Sequence, residues 1–267
     1  MPLYTDQLLE TIYLTGKPGR IISVVPSQTE LLYSLGLVNE VIGITKFCVH
    51  PEQWYHSKTR VGGTKNLNLQ LITSLKPDLV IANKEENIKE QLAELKKICP
   101  VWVSDVNNLS DALEMITTLG NITGKQEKAA ALSAAIERGF KDLRIEDKIP
   151  IPAAYLIWRK PYMAAGNDTF INNMMGYCGL ENLFNSISRY PEIKLSELKK
   201  FSAPLILLST EPYPFTVKHI EEIKEEIPDA RVILADGEMF SWYGSRLVLS
   251  AAYFRKFKEK IRWIMNQ

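Results

Sequence analysis

Short apolar runs rich in β-branched residues recur along this chain, each followed by a stretch of helical period. That alternation limits the fold most, because strands alternating with helices build parallel sheets flanked by helices. In the first half the strand candidates are Arg20–Val25, Val41–Ile44, Asp78–Ala82 and Val101–Val103. Ser27-Gln28-Thr29-Glu30 reads as a capping box that opens a helix ending at Gly36. Asn68–Leu75 and Glu85–Ile98 read as the next helices, the second stopped by Pro100.

Between Ser110 and Asp147 no strand candidate appears. Ser110 caps a helix running to Gly120, and a second helix covers Lys125–Asp147 with Leu132, Ile136, Phe140 and Leu143 on one face. At 1.5 Å per residue it spans roughly 35 Å, about one domain diameter, and reads as a rigid connector. The run Lys148-Ile149-Pro150-Ile151-Pro152 stops it. Alternation then resumes, with strands at Ala153–Trp158, Pro204–Ser209 and Ala230–Ala235 and helices at Thr169–Tyr177, Val217–Glu226 and Gly244–Met265. The expected fold is α/β, with two Rossmann-like lobes over residues 1–109 and 150–267. Linking helices fill 110–149. Ligands of parallel sheets sit beyond the carboxyl ends of the strands, so the expected ligand site is a cleft between the lobes.

Charge excludes some partners. The 267 residues carry 32 basic and 31 acidic side chains, and no basic stripe is interleaved with aromatics. Such a balance recruits neither nucleic acid nor anionic lipid. No run approaches the roughly 20 apolar residues of a membrane helix. Met1–Thr15 has neither the basic start nor the apolar core of a secretory leader. The expected location is therefore cytoplasmic, or periplasmic if a leader has been removed. Cys48, Cys99 and Cys178 are odd in number and far apart, which suggests no disulfide framework.

The sequence holds no Walker loop, nucleophile elbow, paired-cysteine zinc motif or dinucleotide fingerprint. Three segments that follow strands are chemically loaded: Lys46–His50, Trp158–Tyr162 and Asp236–Arg246. Aromatics with a few charges suit a large, flat, partly apolar ligand. The candidate ligand contacts are Phe47, Lys84, Trp158, Arg159, Glu211, Asp236, Glu238, Trp242 and Arg246. For Trp158 and Trp242 the alternative is burial in the core; for Lys84 and Glu85 it is the charged first turn of a helix. Cys48 and His50, two residues apart, are candidates to touch a metal, against a buried thiol beside a loop imidazole. His219 lies on a charged helix and reads as solvated surface.

These segments resemble the helical-backbone class of periplasmic binding proteins, which serves importers of vitamin B12, haem and iron–siderophores. The resemblance rests on Arg20-Ile21-Ile22-Ser23, Pro26–Leu31, Val41–Thr45, Leu75-Lys76-Pro77-Asp78-Leu79-Val80-Ile81 and the Lys125–Asp147 helix. It is closest to the cobalamin branch and its unexported relatives. It implies a non-catalytic receptor that needs no cofactor and whose ligand is a cobalamin-like corrinoid or an iron chelate. Cleft aromatics and polar groups after the last strand would grip it, which singles out Phe47, Trp158, Trp242, Asp236 and Arg246. Exported relatives dock on a permease through one glutamate per lobe; here Gln70 and Ser196 stand at those positions, with Glu197 one residue away. Importer docking is therefore doubtful. The competing readings are an importer subunit whose leader has been removed, and a tetrapyrrole-modifying or metal-inserting enzyme using Cys48, His50 and Glu238.

Overall fold

A computed structural model describes residues 2–141, 143, 149–201 and 204–266. The chain divides into two compact units. One comprises Met1–Val106, Ser110–Ala134 and Tyr243–Arg246; the other comprises Asn107–Leu109, Ala135–Trp242 and Leu247–Gln267.

The elements run in order β1 (Leu3–Thr5), β2 (Thr11–Tyr13), β3 (Ile21–Ser23), α1 (Pro26–Ser34), β4 (Val41–Ile44), α2 (Glu52–Ser57), β5 (Thr59–Arg60), β6 (Gly62–Gly63), β7 (Asn66–Leu67), α3 (Leu69–Ser74), β8 (Leu79–Asn83), α4 (Lys89–Lys96) and β9 (Val101–Ser104). Two helices follow, α5 (Leu109–Thr123) and α6 (Gln126–Lys141). Then come β10 (Ile151–Trp158), β11 (Tyr162–Ala164), α7 (Phe170–Tyr177), β12 (Leu180–Asn182), β13 (Glu192–Ile193), α8 (Leu195–Leu198), β14 (Leu205–Ser209), α9 (Val217–Glu226), β15 (Arg231–Ala235), α10 (Gly237–Ser241) and α11 (Leu247–Met265).

In the first unit β5, β4, β3, β8 and β9 lie side by side in that order, all parallel. The central strands of this sheet are buried along their whole length, as in Leu79–Asn83, which fits a parallel sheet covered on both faces. Ile22, Val24, Val80, Ala82, Val101 and Val103 pack into one core cluster. The order reverses at β3, so the ends of β3 and β8 flank a topological switch point.

The second unit is built on β13, β11, β10, β14 and β15, with β12 also paired to β10. β10, β12, β14 and β15 are parallel, while β11 runs antiparallel to both of its neighbours, β10 and β13. The three residues between Trp158 and Tyr162 are far too few for a crossover, so β11 must turn back as a hairpin. Ala154, Leu156, Ile206, Leu208 and Val232 form the core.

Several local expectations need correction. Helix α1 has Val25 as its N-cap with no side-chain cap, and Pro26 opens it where a missing N–H is harmless. Ser27 therefore lies inside the helix and is no capping box. Residues 83–87 form a turn, because Asn83 Oδ1 accepts from the N–H groups of Glu85 and Glu86 and Asn87 Oδ1 accepts from Asn83 N. Helix α4 starts only at Lys89. The C-terminal helix starts at Leu247 rather than Gly244, after a separate short helix, α10. Helix α6 is 16 residues long, and its expected continuation to Asp147 falls largely outside the described residues. Its residues 126–134 belong to the first unit and 135–141 to the second.

His219 is buried, not solvated. It sits at the third position of α9, where its Nδ1 accepts from Thr216 N at 2.9 Å, and its ring packs edge-on against Tyr213 and Phe215.

Candidate functional site

Strands β14 and β15 end level with each other, Ser209 opposite Ala235. The residues that follow, Thr210-Glu211 and Asp236, therefore emerge side by side. Asp236 caps α10, its Oδ1 accepting from Glu238 N at 3.2 Å, and Thr210 Oγ1 accepts from Gly237 N at 2.9 Å. Ser241 Oγ donates to Glu211 Oε1 at 2.7 Å, and the Trp242 side chain also donates to Glu211. Around these groups lies a cavity of about 470 Å³ lined by Thr210, Glu211, Leu234, Ala235, Asp236 and Glu238. That is within the usual size of small-molecule sites.

Burial pushes the Glu211 carboxyl above its ordinary range, and the neighbouring negative charges of Glu238 and Asp236 push the same way. The hydrogen bonds from Ser241 and Trp242 oppose that shift without cancelling it. Gly237 permits the close approach, since a Cβ there would stand 2.5 Å from Glu211 Cγ and 2.8 Å from Glu211 N.

Three of the expected site residues, Glu211, Asp236 and Glu238, are thus brought together at one cavity. Trp158 ends β10 with 41% of its surface exposed, edge-on to Tyr213 at 5.7 Å, so it is no core tryptophan and keeps an open face. Arg159 beside it is paired with Glu222 at 2.8 Å. In the first unit Phe47 is 52% exposed, with Lys46 Nζ 5.1 Å above its ring.

Four other expected site residues have partners or burial of their own. Trp242 is only 6% exposed and its polar edge is used by Glu211, so it offers no stacking face. Arg246 is buried in a two-bond pair with Glu30, Nε to Oε2 at 3.0 Å and Nη2 to Oε1 at 2.6 Å. Lys84 is paired with Asp105 at 2.6 Å. Cys48 is fully buried, with Thr29 Oγ1 at 3.1 Å and Thr45 Oγ1 at 3.2 Å. Burial raises its thiol pKa, away from the thiolate that a metal or a catalytic step needs. No group of three His, Cys, Asp or Glu among the described residues could hold a metal ion.

Sequence reasoning missed Thr210 and Ser241, which fasten the cavity wall, and Glu86, which accepts from Tyr243 Oη at 2.9 Å. The signal for Thr210 was available, since it is the first residue after a strand that was read correctly. Tyr243 and Glu86 are separated by 157 positions, and nothing in their local patterns pairs them.

Comparison with known proteins agrees with this architecture. The family model described as "Periplasmic binding protein" matches residues 21–230, and the chain belongs to that family. It is 28% identical to a vitamin B12-binding protein of Vibrio campbellii over 192 residues, 70% of this chain and 69% of the relative. The crystal structure of the periplasmic vitamin B12 binding protein BtuF of Vibrio cholerae superposes with a TM-score of 0.77 at 20% identity, covering 94% of this chain and 99% of that one. The periplasmic heme-binding protein RhuT from Roseiflexus sp. RS-1, in apo form, also gives 0.77, at 19% identity over 91% and 98%. The expected fold class, α/β with two lobes, is the one these structures share. Their names place both in the periplasm, so the cytoplasmic expectation finds no support among them. No helix among the described residues is long and apolar enough to cross a membrane.

Proposed function

We propose that this chain is a non-catalytic receptor for a metal chelate, a cobalamin-like corrinoid or an iron–siderophore. The observation that carries the reading is the cavity of about 470 Å³ beyond the carboxyl ends of β14 and β15, in a chain that is similar to a vitamin B12-binding protein. Within the second unit Trp158 supplies an open aromatic face for a flat ligand, and Glu211, Asp236 and Glu238 supply polar contacts. The receptor needs no cofactor of its own. An enzyme reading would draw on Cys48, His50 and Glu238; burial raises the Cys48 thiol pKa, away from the thiolate that a nucleophile or metal ligand uses.

Titration with cyanocobalamin, followed by tryptophan quenching, is expected to show saturable binding. Trp158→Ala should weaken it by about 5- to 150-fold, the roughly 1–3 kcal/mol that one stacking face contributes where bases stack on aromatics. Unchanged affinity in the variant would place the ligand elsewhere. No binding of cyanocobalamin or of a ferric siderophore, together with none retained by native mass spectrometry of protein from its own host, would remove the receptor reading.

Docking on an importer through one acid per lobe is not part of this proposal. Gln70 and Ser196 are exposed at the second positions of α3 and α8, and neither carries charge. Glu197 Oε1 is engaged, accepting from Lys194 N at 3.2 Å. Mixed with a cobalamin-type permease in nanodiscs, the protein is expected neither to co-elute nor to stimulate ATPase activity. Ligand-dependent co-elution would overturn this part and restore the importer-subunit reading.

A further inference from the structure

The cavity of the second unit has a chemical bias that the receptor reading does not by itself require. Its polar lining is one hydroxyl, Thr210, and three carboxyl groups, Glu211, Asp236 and Glu238; among the described residues that line it none is basic. Leu234 and Ala235 complete the wall. The hydroxyl already accepts from Gly237 N, and Glu211 already accepts from Ser241 and Trp242. Apart from the one O–H of Thr210, what such a lining offers a guest is hydrogen-bond acceptors and negative charge.

Flat metal chelates of similar size differ in what they carry on the rim. The corrin of cobalamin is fringed with primary amides, which are neutral and present N–H donors. Haem carries two propionates, which are negative at neutral pH. An amide placed against these carboxyl groups donates to a charged acceptor, the stronger kind of hydrogen bond. A carboxylate placed there meets like charge in a partly desolvated cavity, where repulsion is least screened. The crowding is already felt by Glu211, held up by burial and by the charges of its two neighbours.

We infer that this cavity is a charge filter that admits the amide-bearing edge of a chelate and rejects an edge carrying carboxylates. Glu211, Asp236 and Glu238 are its specificity-determining residues. The inference rests on the receptor reading, and goes further by naming the rim chemistry that the site selects.

The probe is a matched pair: cyanocobalamin, and cyanocobalamin in which one peripheral amide has been hydrolysed to a carboxylate, each isomer tested separately. Haem is the third ligand. The parent protein is expected to bind cyanocobalamin at least about tenfold more tightly than one or more of the monocarboxylates, and haem more weakly still. In Glu211→Gln/Asp236→Asn/Glu238→Gln that preference should disappear, with affinity for the monocarboxylate rising. Asp236→Asn removes a helix cap in part, so Glu211→Gln and Glu238→Gln are also measured singly, each expected to narrow the preference with the circular dichroism spectrum unchanged. Equal affinity of the parent for amide and carboxylate forms, a preference for haem, or a preference that survives all the substitutions would overturn the filter while leaving the receptor standing. Failure to bind any of the three ligands would instead count against the receptor reading itself.

Discussion

Glu30→Ala is expected to destabilise the first unit by about 3–5 kcal/mol, the usual effect of removing one partner from a buried ion pair. Arg246 and Glu30 are bonded twice, at 3.0 and 2.6 Å, with side chains only 9% and 17% exposed. Without the carboxylate, the guanidinium loses both of these bonds while remaining buried. The pair also fastens Tyr243–Arg246 to a unit made otherwise of Met1–Val106 and Ser110–Ala134, beside the Tyr243–Glu86 hydrogen bond. Gly244 passes so close to α1 that a Cβ there would lie 3.0 Å from Ser27 O. At about 2–4 °C per kcal/mol for a chain of this size, the melting midpoint should fall by roughly 6–20 °C. Glu30→Leu combined with Arg246→Met should recover most of the loss, because replacing both charges by apolar groups leaves nothing unpaired. A loss under about 1 kcal/mol for Glu30→Ala in urea unfolding would show that solvent already screens the pair.

Phe240→Ala is expected to cost a further class of energy, about 3–5 kcal/mol from lost burial and the void left behind. Phe240 is fully buried at the middle of an aromatic cluster, 4.8 Å from Phe254, 4.9 Å from Tyr155 and 6.0 Å from Phe257 between ring centroids. It is also the one large anchor of α10, the five-residue helix that carries Glu238 and Ser241. A helix that short holds no stable shape by its own hydrogen bonds and depends on packing. The same substitution should therefore loosen the cavity wall and weaken ligand binding. Phe240→Leu, which keeps much of the volume, should lose less of both. Chemical denaturation gives the stability change and cyanocobalamin titration the affinity. Loss of stability with affinity untouched would mean that α10 is held by Asp236 and Gly237 alone.

The parts of this fold legible in the sequence are those fixed by short-range pattern. Val41–Ile44 and Val217–Glu226 begin and end where periodicity places them, and Asn68 and Thr169 cap their helices through their own side chains. Gly36 and Gly124, at φ +82° and +70°, follow the ends of α1 and α5. The small pieces were not legible. β5, β6, β7, β12 and β13 have two or three residues each, too short for any period to register. The hairpin of β10 and β11 was read as a loaded loop, because its return strand, Tyr162–Ala164, carries no β-branched residue.

The site divides along the same line. Local sequence determined which residues follow the strands of a parallel sheet, and so it named Trp158, Glu211, Asp236 and Glu238 as candidates. It also determined the turn chemistry that aims them, with Asp236 before a glycine at a helix start. Tertiary structure alone decided which candidates keep a free face. Trp158 stays open while Trp242 is buried with its indole on Glu211, although both are tryptophans beside strand ends. Arg246 was lost to Glu30, 216 positions away, and Cys48 to two threonine hydroxyls. The physical reason is range. Helix and strand preferences are settled by neighbours a few residues apart, whereas burial and charge pairing depend on whichever groups the folded chain brings within a few ångströms, and no local pattern encodes that.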